Sequence, residues 1–328
     1  MIERIKKTIF WRILRKIKNV IREKIFAPLR KRHTLKLIST IKPLANRESI
    51  PRYIVSLTSY KRRLKETAPY AIVTLLNQSV KPDKVILWVA DEDKEYIPRI
   101  MDKLTEKGLE ICFCEDIKSY KKLIPALEMF PEDYIITADD DVYYPNNWFE
   151  QLLTEHRKNP KKIICHRVHG IKVDETQNPI PYVKWDYCIE PSIYFLTQEQ
   201  SVYHRESVFP TGVGGILYPP KCFYKDIAKK EIFMKLAPQA DDIWFWAMAV
   251  INKEYFGEEI PYIAIESGYS KKLKIIDPRE EYNTLSNYNR LEGGNDKQLK
   301  AVIEQYPQIN EVLKKIQPFQ SAKKEQSF

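Results

Sequence analysis

Apolar residues recur in two different rhythms along this chain. Ile2, Ile5, Ile9, Ile13, Ile17, Ile21 and Ile25 return every three or four residues, the spacing of one face of an α-helix. Arg4, Lys7, Arg15, Lys18 and Arg22 fall between them on the other side, with Trp11 near the boundary. The pattern predicts an amphipathic helix roughly 40 Å long at about 1.5 Å per residue, with Pro28 as its stop and residues 34–50 as a linker.

From residue 51 the rhythm changes to short apolar runs separated by helical spacings. RYIVSLT (52–58), KVILWVA (84–90), LEICFC (109–114) and DYIITA (133–138) read as buried strands. Helices are predicted over residues 67–79, with Ile72, Leu75 and Leu76 inward, then over 98–107, ended by Gly108, and over 121–129. Strands alternating with helices predict an α/β body with a mostly parallel sheet. Such sheets bind ligands outside the carboxyl ends of their strands. The polar residues that follow each strand, Arg62, Asp91, Asp116 and the triplet Asp139-Asp140-Asp141, are therefore expected on one rim. Further on, KIICHRV (162–168) reads as a strand and residues 241–256 as an aromatic helix. Residues 179–197 read as an aromatic-lined surface, and the tail from residue 271 as polar with a helix near 297–306. The division expected is 1–33 membrane-associating helix, 34–50 linker, 51–270 catalytic domain and 271–328 tail.

Charge sharpens the reading of the N-terminus. Of the net +10, all comes from residues 1–33, where twelve Lys and Arg face Glu3 and Glu23; the remainder holds 42 basic and 42 acidic residues. A basic surplus confined to one amphipathic segment predicts a helix in the interface of an anionic membrane, and a neutral body argues against nucleic acid as a partner. Five cysteines without a C-x-x-C pair fit a reducing compartment. With no transmembrane run or signal peptide to be read, the expected location is cytoplasmic, attached peripherally to the inner face of the cell membrane. No glycine-rich loop of the P-loop or dinucleotide type occurs.

Candidate chemistry centres on the aspartate triplet. Three adjacent carboxylates repel one another unless a cation joins them, and oxygen ligands suit Mg²⁺ or Mn²⁺; a turn or helix cap is the alternative. Asp139 and Asp141 are the expected metal ligands. Asp241-Asp242, before Ile243-Trp244-Phe245-Trp246, is either a helix start or a helix start that also holds a catalytic base. Gly212, Gly214 and Gly215 would let backbone approach a ligand, or form a simple turn. His166 is expected to be structural or a substrate contact.

Taken together, IVSLTSYKRRL, VILWVADED, DYIITADDDVYYP, TGVGG and ADDIWFW resemble, over about residues 52–250, bacterial GT-A glycosyltransferases of surface-polysaccharide and lipopolysaccharide clusters. The resemblance implies a GT-A, Rossmann-like nucleotide-diphospho-sugar transferase fold, a nucleotide-sugar donor such as a UDP-sugar, a divalent cation, usually Mn²⁺, and a glycan or glycolipid acceptor. It implies donor contacts from Thr58, Arg62, Asp91, Asp116, Lys122, Asp139, Asp140, Gly214 and Gly215. It makes Asp141 a metal ligand and Asp242 the base of an inverting displacement, with Asp241 as its neighbour. Trp185, Tyr187 and Tyr194 are expected to offer an acceptor platform. Two other readings compete: a nucleotidyltransferase acting on sugar phosphates, and a noncatalytic membrane-associated binding protein.

Overall fold

The computed structural model describes residues 22–45, 51–186, 207–265, 274–276, 289 and 293–319. The first 21 residues of the predicted N-terminal helix therefore lie outside the described residues. At its end, a single π-helical turn (22–26) runs into α1 (Ala27–Lys36), with Pro28 inside the first turn. Proline is tolerated there because the first-turn N–H groups have no helical partner, so Pro28 does not stop the helix. Nor does a linker begin at residue 34: a 3₁₀ turn follows at Leu37–Ser39, and Ile38 and Ile41 are buried in the body.

The body is built on β1 (Tyr53–Thr58), α2 (Arg63–Glu66), α3 (Ala68–Leu76), β2 (Lys84–Ala90), α4 (Ile100–Thr105), β3 (Leu109–Cys114), α5 (Ile124–Met129), β4 (Tyr134–Ala138) and β5 (Val142–Tyr143). It continues through α6 (Trp148–Lys158), β6 (Ile163–Cys165), β7 (Val168–Gly170), β8 (Val208–Pro210), β9 (Ile216–Tyr218), α7 (Lys230–Leu236) and α8 (Asp241–Val250). The last described elements are α9 (Lys253–Phe256), β10 (Tyr262–Ala264), β11 (Lys274–Ile275), α10 (Gly294–Gln305) and α11 (Ile309–Leu313).

Seven strands form the main sheet in the order β10-β6-β9-β4-β1-β2-β3. All pairs are parallel except those made by β9, which runs antiparallel between β4 and β6. Alternation along each strand feeds two cores. Ile54, Ile86, Trp88 and Ile135 enter one; Val55, Leu57, Val85, Leu87 and Ile136 enter the other. A strand buried on both faces reads as a continuous apolar run, which is why β1, β2 and β4 were visible in the sequence; β3, at the edge of the sheet, is only partly buried beyond Leu109. The three-residue strands β8 and β9 were not visible, and the predicted strand over 162–168 divides into β6 and β7, which belong to different sheets.

The segment expected as a polar tail is part of the body. Leu299, Val302, Tyr306, Ile309, Leu313 and Ile316 are buried in the same core as α8. Among the described residues, no helix is long and apolar enough to cross a membrane.

Candidate active site

The carboxyl ends of β1 and β4, the loops after β2 and β3, and the start of α8 enclose a cleft of about 630 Å³. The expected rim is there, with substitutions in its cast. Thr58, Asp116, Lys122, Asp139, Asp140, Asp141, Asp241 and Asp242 all line the cleft.

The aspartate triplet is a turn, held from both sides. The Asp139 N–H donates to the Tyr144 hydroxyl at 2.7 Å, and Tyr144 is buried beneath it. Asp140 is buried and fully engaged: the Ser59 hydroxyl donates to Oδ2 at 2.5 Å, and the Arg63 guanidinium grips both oxygens. Arg63 also pairs with Asp141 at 2.9 Å. Burial works against the Arg63 charge, but Asp140 and Asp141 outweigh it and raise its pKa. Burial also pushes the Asp141 carboxyl up, to about 6; Arg63 opposes this, and Asp140 and Asp139 add to it.

Lys122 joins this turn to the second acidic pair. Its ammonium is buried 2.9 Å from Asp241 Oδ2 and 3.4 Å from Asp139 Oδ1. Burial lowers its pKa, but Asp241, Asp139 and Asp242 more than reverse that, leaving it well above the usual lysine value. Its backbone is fixed from the sheet: the Lys122 carbonyl accepts from Ser56 Oγ at 2.7 Å, which itself accepts from Trp88 Nε1 at 2.9 Å. Asp242 stands in the first turn of α8 and accepts the Gly212 N–H at 3.0 Å. Burial, then the adjacent Asp241, push its carboxyl up to about 7, while Lys122 and the Gly212 hydrogen bond hold it down. A carboxyl near neutrality beside an open cleft is suited to move a proton.

Several expected contacts lie elsewhere. Arg62 points away, 65% exposed and 3.6 Å from Glu66; the cleft receives Arg63 instead. Asp91 is 62% exposed and pairs with Lys94 at 2.7 Å, leaving Glu92 and Asp93 to line the cleft. Gly214 and Gly215 do not line it. The Gly214 carbonyl accepts Trp148 Nε1 at 2.5 Å, and a Cβ on Gly215 would come within 2.9 Å of the Trp148 indole at φ +93°. Gly215 has no room for a side chain beside Trp148, and Gly214 adopts a φ of +109° that favours glycine; Gly212 and Val213 are the part of the loop that reaches the site. Trp185 is a core residue, its Nε1 donating to the Ile180 carbonyl at 2.9 Å, so it is no platform. Tyr187 and Tyr194 lie outside the described residues. His166 is buried against the Trp148 carbonyl, and burial lowers its pKa to about 4, a structural imidazole.

Other cleft residues were not anticipated. Tyr182, Phe209, Arg167 and His169 form one wall. Lys61 and Lys118 line it with φ of +40° and +56°, an uncommon backbone for residues other than glycine. Lys121 grips Asp116, whose carboxyl is held below its usual value despite burial. From the C-terminal segment come Asn289 and Asn295. Asn289 Nδ2 donates to the Gln239 carbonyl at 2.6 Å, and Gln298 Oε1 accepts the Gln239 N–H at 2.8 Å. Gln239 is thus clamped two residues before Asp241. The amides of 287–298 were the sequence signal, obscured by their place in a polar tail.

The oxygens of Asp139 and Asp141 share the cleft, and an all-oxygen donor set suits a hard divalent cation. Among the described residues, no group of three or more His, Cys, Asp or Glu side chains is placed to hold a metal. A cation here would take Asp139 and Asp141 from the described residues, with ligand oxygens or water among the rest of its shell.

Residues 55–217 match the family model described as Glycosyl transferase family 2. No curated protein matches the chain. Among solved structures, CMP:2-keto-3-deoxy-manno-octonic acid synthetase complexed with CTP is 13% identical, with a TM-score of 0.38 over 65% of this chain and 90% of that one. S. aureus TarS 1-349 in complex with UDP is 12% identical, with a TM-score of 0.39 over 66% of this chain and 58% of that one. The mannosyltransferase PcManGT from Pyrobaculum calidifontis, in complex with GDP-Man and Mn²⁺, is 17% identical, with a TM-score of 0.29 over 43% of each chain.

Proposed function

From a chain that carries a glycosyl transferase family 2 domain over residues 55–217, and so is a glycosyltransferase, we propose transfer of a sugar from a nucleotide-diphosphate donor to a hydroxyl of a glycan or glycolipid, with inversion. The observation that carries this reading is the Asp242 carboxyl, poised near pH 7 in the cleft it shares with the aspartate turn.

Asp139 and Asp141 would hold the divalent cation, which supplies charge stabilisation for the departing diphosphate. The chain's own residues do the rest. Arg63 and Ser59 fix the turn through Asp140, so that its neighbours keep one orientation. Asp242 removes the proton of the acceptor hydroxyl as that oxygen bonds to the anomeric carbon. The bond from that carbon to the phosphate oxygen breaks, and a single displacement inverts the centre. Lys122, between the two acidic groups, lowers the cost of holding three carboxylates in one buried region.

The test uses thermal shifts with Mn²⁺ and UDP or GDP, and transfer from labelled nucleotide sugars. Asp242→Asn is expected to keep the nucleotide-dependent shift and lose transfer by about 10²–10⁴-fold, the usual contribution of a positioned base. If no nucleotide stabilises the protein, or Asp242→Asn transfers normally, the reading fails.

A further inference from the structure

We propose that the π-helical turn over 22–26 and the start of α1 dock this protein on an anionic lipid bilayer through Ile25, Phe26 and Leu29. These three side chains are 51%, 58% and 58% exposed and adjoin one another at spacings of one, three and four residues. Around them Lys24, Arg30, Arg32 and Lys36 are exposed as well. Between Glu23 and Glu48 the chain contains seven Lys and Arg and no acidic residue. An apolar patch on a segment whose charges from Lys24 to Arg47 are all positive matches the boundary between acyl chains and lipid phosphates. A second copy of this chain would set the same cations against each other in a symmetric contact, so the charge favours the bilayer.

The helix is a ledge fixed to the body. Thr34, Ile38 and Ile41 are buried beneath it. Lys31 Nζ donates to the Glu66 carbonyl at 2.8 Å and stands over the Tyr70 ring, while the Arg30 guanidinium stands over Tyr143. Glu66 closes the short helix that begins at Arg63, and Tyr143 is two residues beyond Asp141. The docking surface is therefore built onto the wall that carries the aspartate turn. Resting on the proposed function above, this arrangement makes a hydroxyl on a membrane-anchored acceptor the class of acceptor best served.

The experiment sediments the full chain with phosphatidylcholine vesicles, with and without phosphatidylglycerol, at low and raised NaCl. Binding is expected to the anionic vesicles and to be released by salt. Phe26→Asp with Leu29→Asp is expected to lower partitioning at least about tenfold. Lys24→Gln with Arg32→Gln, two exposed positions, is expected to lower it about 25-fold, at about fivefold for each charge. Unchanged melting temperature and unchanged nucleotide binding show that each variant is folded. Equal binding to neutral and anionic vesicles would overturn the proposal, as would wild-type binding by the Phe26/Leu29 variant. A loss of self-association in lipid-free solution on the same substitutions would assign the patch to a second copy instead. Vesicle binding is read without donor or transfer, so its failure and that of the glycosyltransferase reading are separable.

Discussion

Replacing Lys122 with methionine removes an ammonium placed between the aspartate turn and the start of α8. In the folded protein it lies 2.9 Å from Asp241 and 3.4 Å from Asp139. At an effective dielectric of about 20, each contact is worth about 5 kcal/mol of gross attraction. Desolvation of the three groups offsets much of that. The net cost of removing one partner from a buried pair is about 3–5 kcal/mol, because the remaining charge is left uncompensated. Methionine keeps the volume, so the loss is electrostatic. It should also depend on pH. The Asp242 carboxyl, already at about 7, loses one of the two features that hold it down, and its pKa moves further up. Below that value the site can take a proton and recover part of the cost. Urea denaturation of both proteins is therefore expected to show a larger loss at pH 8 than at pH 6, and the variant's activity profile should shift towards higher pH. A loss below about 1 kcal/mol, or one equal at the two pH values, would refute this account of Lys122.

For the wild-type enzyme, the rate is expected to rise about tenfold per pH unit up to about 7 and then level, because the base acts deprotonated; a flat profile down to pH 5 would exclude Asp242. The stability sign is opposite. This carboxyl's folded pKa lies above its ordinary 3.8, so its contribution is full below that value and is lost as pH rises through about 7, which a denaturation series would register. Arg63→Lys is expected to weaken cation-dependent nucleotide binding by about 10–100-fold with the fold retained, since an ammonium cannot span Asp140 and Asp141 as the guanidinium does; calorimetry with Mn²⁺ and nucleotide measures it. Asn289→Ala removes the 2.6 Å hydrogen bond to the Gln239 carbonyl. Transfer is expected to fall by about tenfold to a hundredfold with nucleotide affinity unchanged; an equal loss of both would show that Asn289 supports the fold at large.

What was legible in the sequence follows from burial. Strands β1, β2 and β4 lie between two cores, so their apolar runs and the polar residues that end them stand out. Lys122 and Asp242 were expected on one rim through the family resemblance, whereas the triplet and Asp116 could be placed there from topology alone. Side-chain direction within a turn could not. Arg62 and Arg63 are adjacent and chemically identical, and only the start of α2 decides that Arg63 faces Asp140 while Arg62 faces Glu66. The same limit exchanged Asp91 for Asp93. Trp185 shows a second limit: an aromatic residue has the same signature in a core as on a sugar platform, and burial separates the two.

The C-terminal segment was misread for a different reason, and that reason bears on how the site works. Its helix α10 is polar on one side and buries Leu299 and Val302 on the other, so composition alone resembles a solvated tail. Yet Asn289 and Gln298 hold Gln239 by its carbonyl and its N–H. Two residues later Asp241 meets Lys122, and Asp242 meets Gly212. The family-matched region ends at residue 217, so it contains the aspartate turn but neither the acidic pair nor its clamp. The cleft is therefore closed by chain from beyond that region: the turn that would hold the donor comes from the sheet, and the proposed base comes from a helix whose approach is set by side chains 50 and 59 residues beyond Gln239. Sequence motifs locate the first half because strand ends make motifs. The clamp behind Asp241 and Asp242 is carried by hydrogen bonds to backbone, which leave only scattered amides in the sequence.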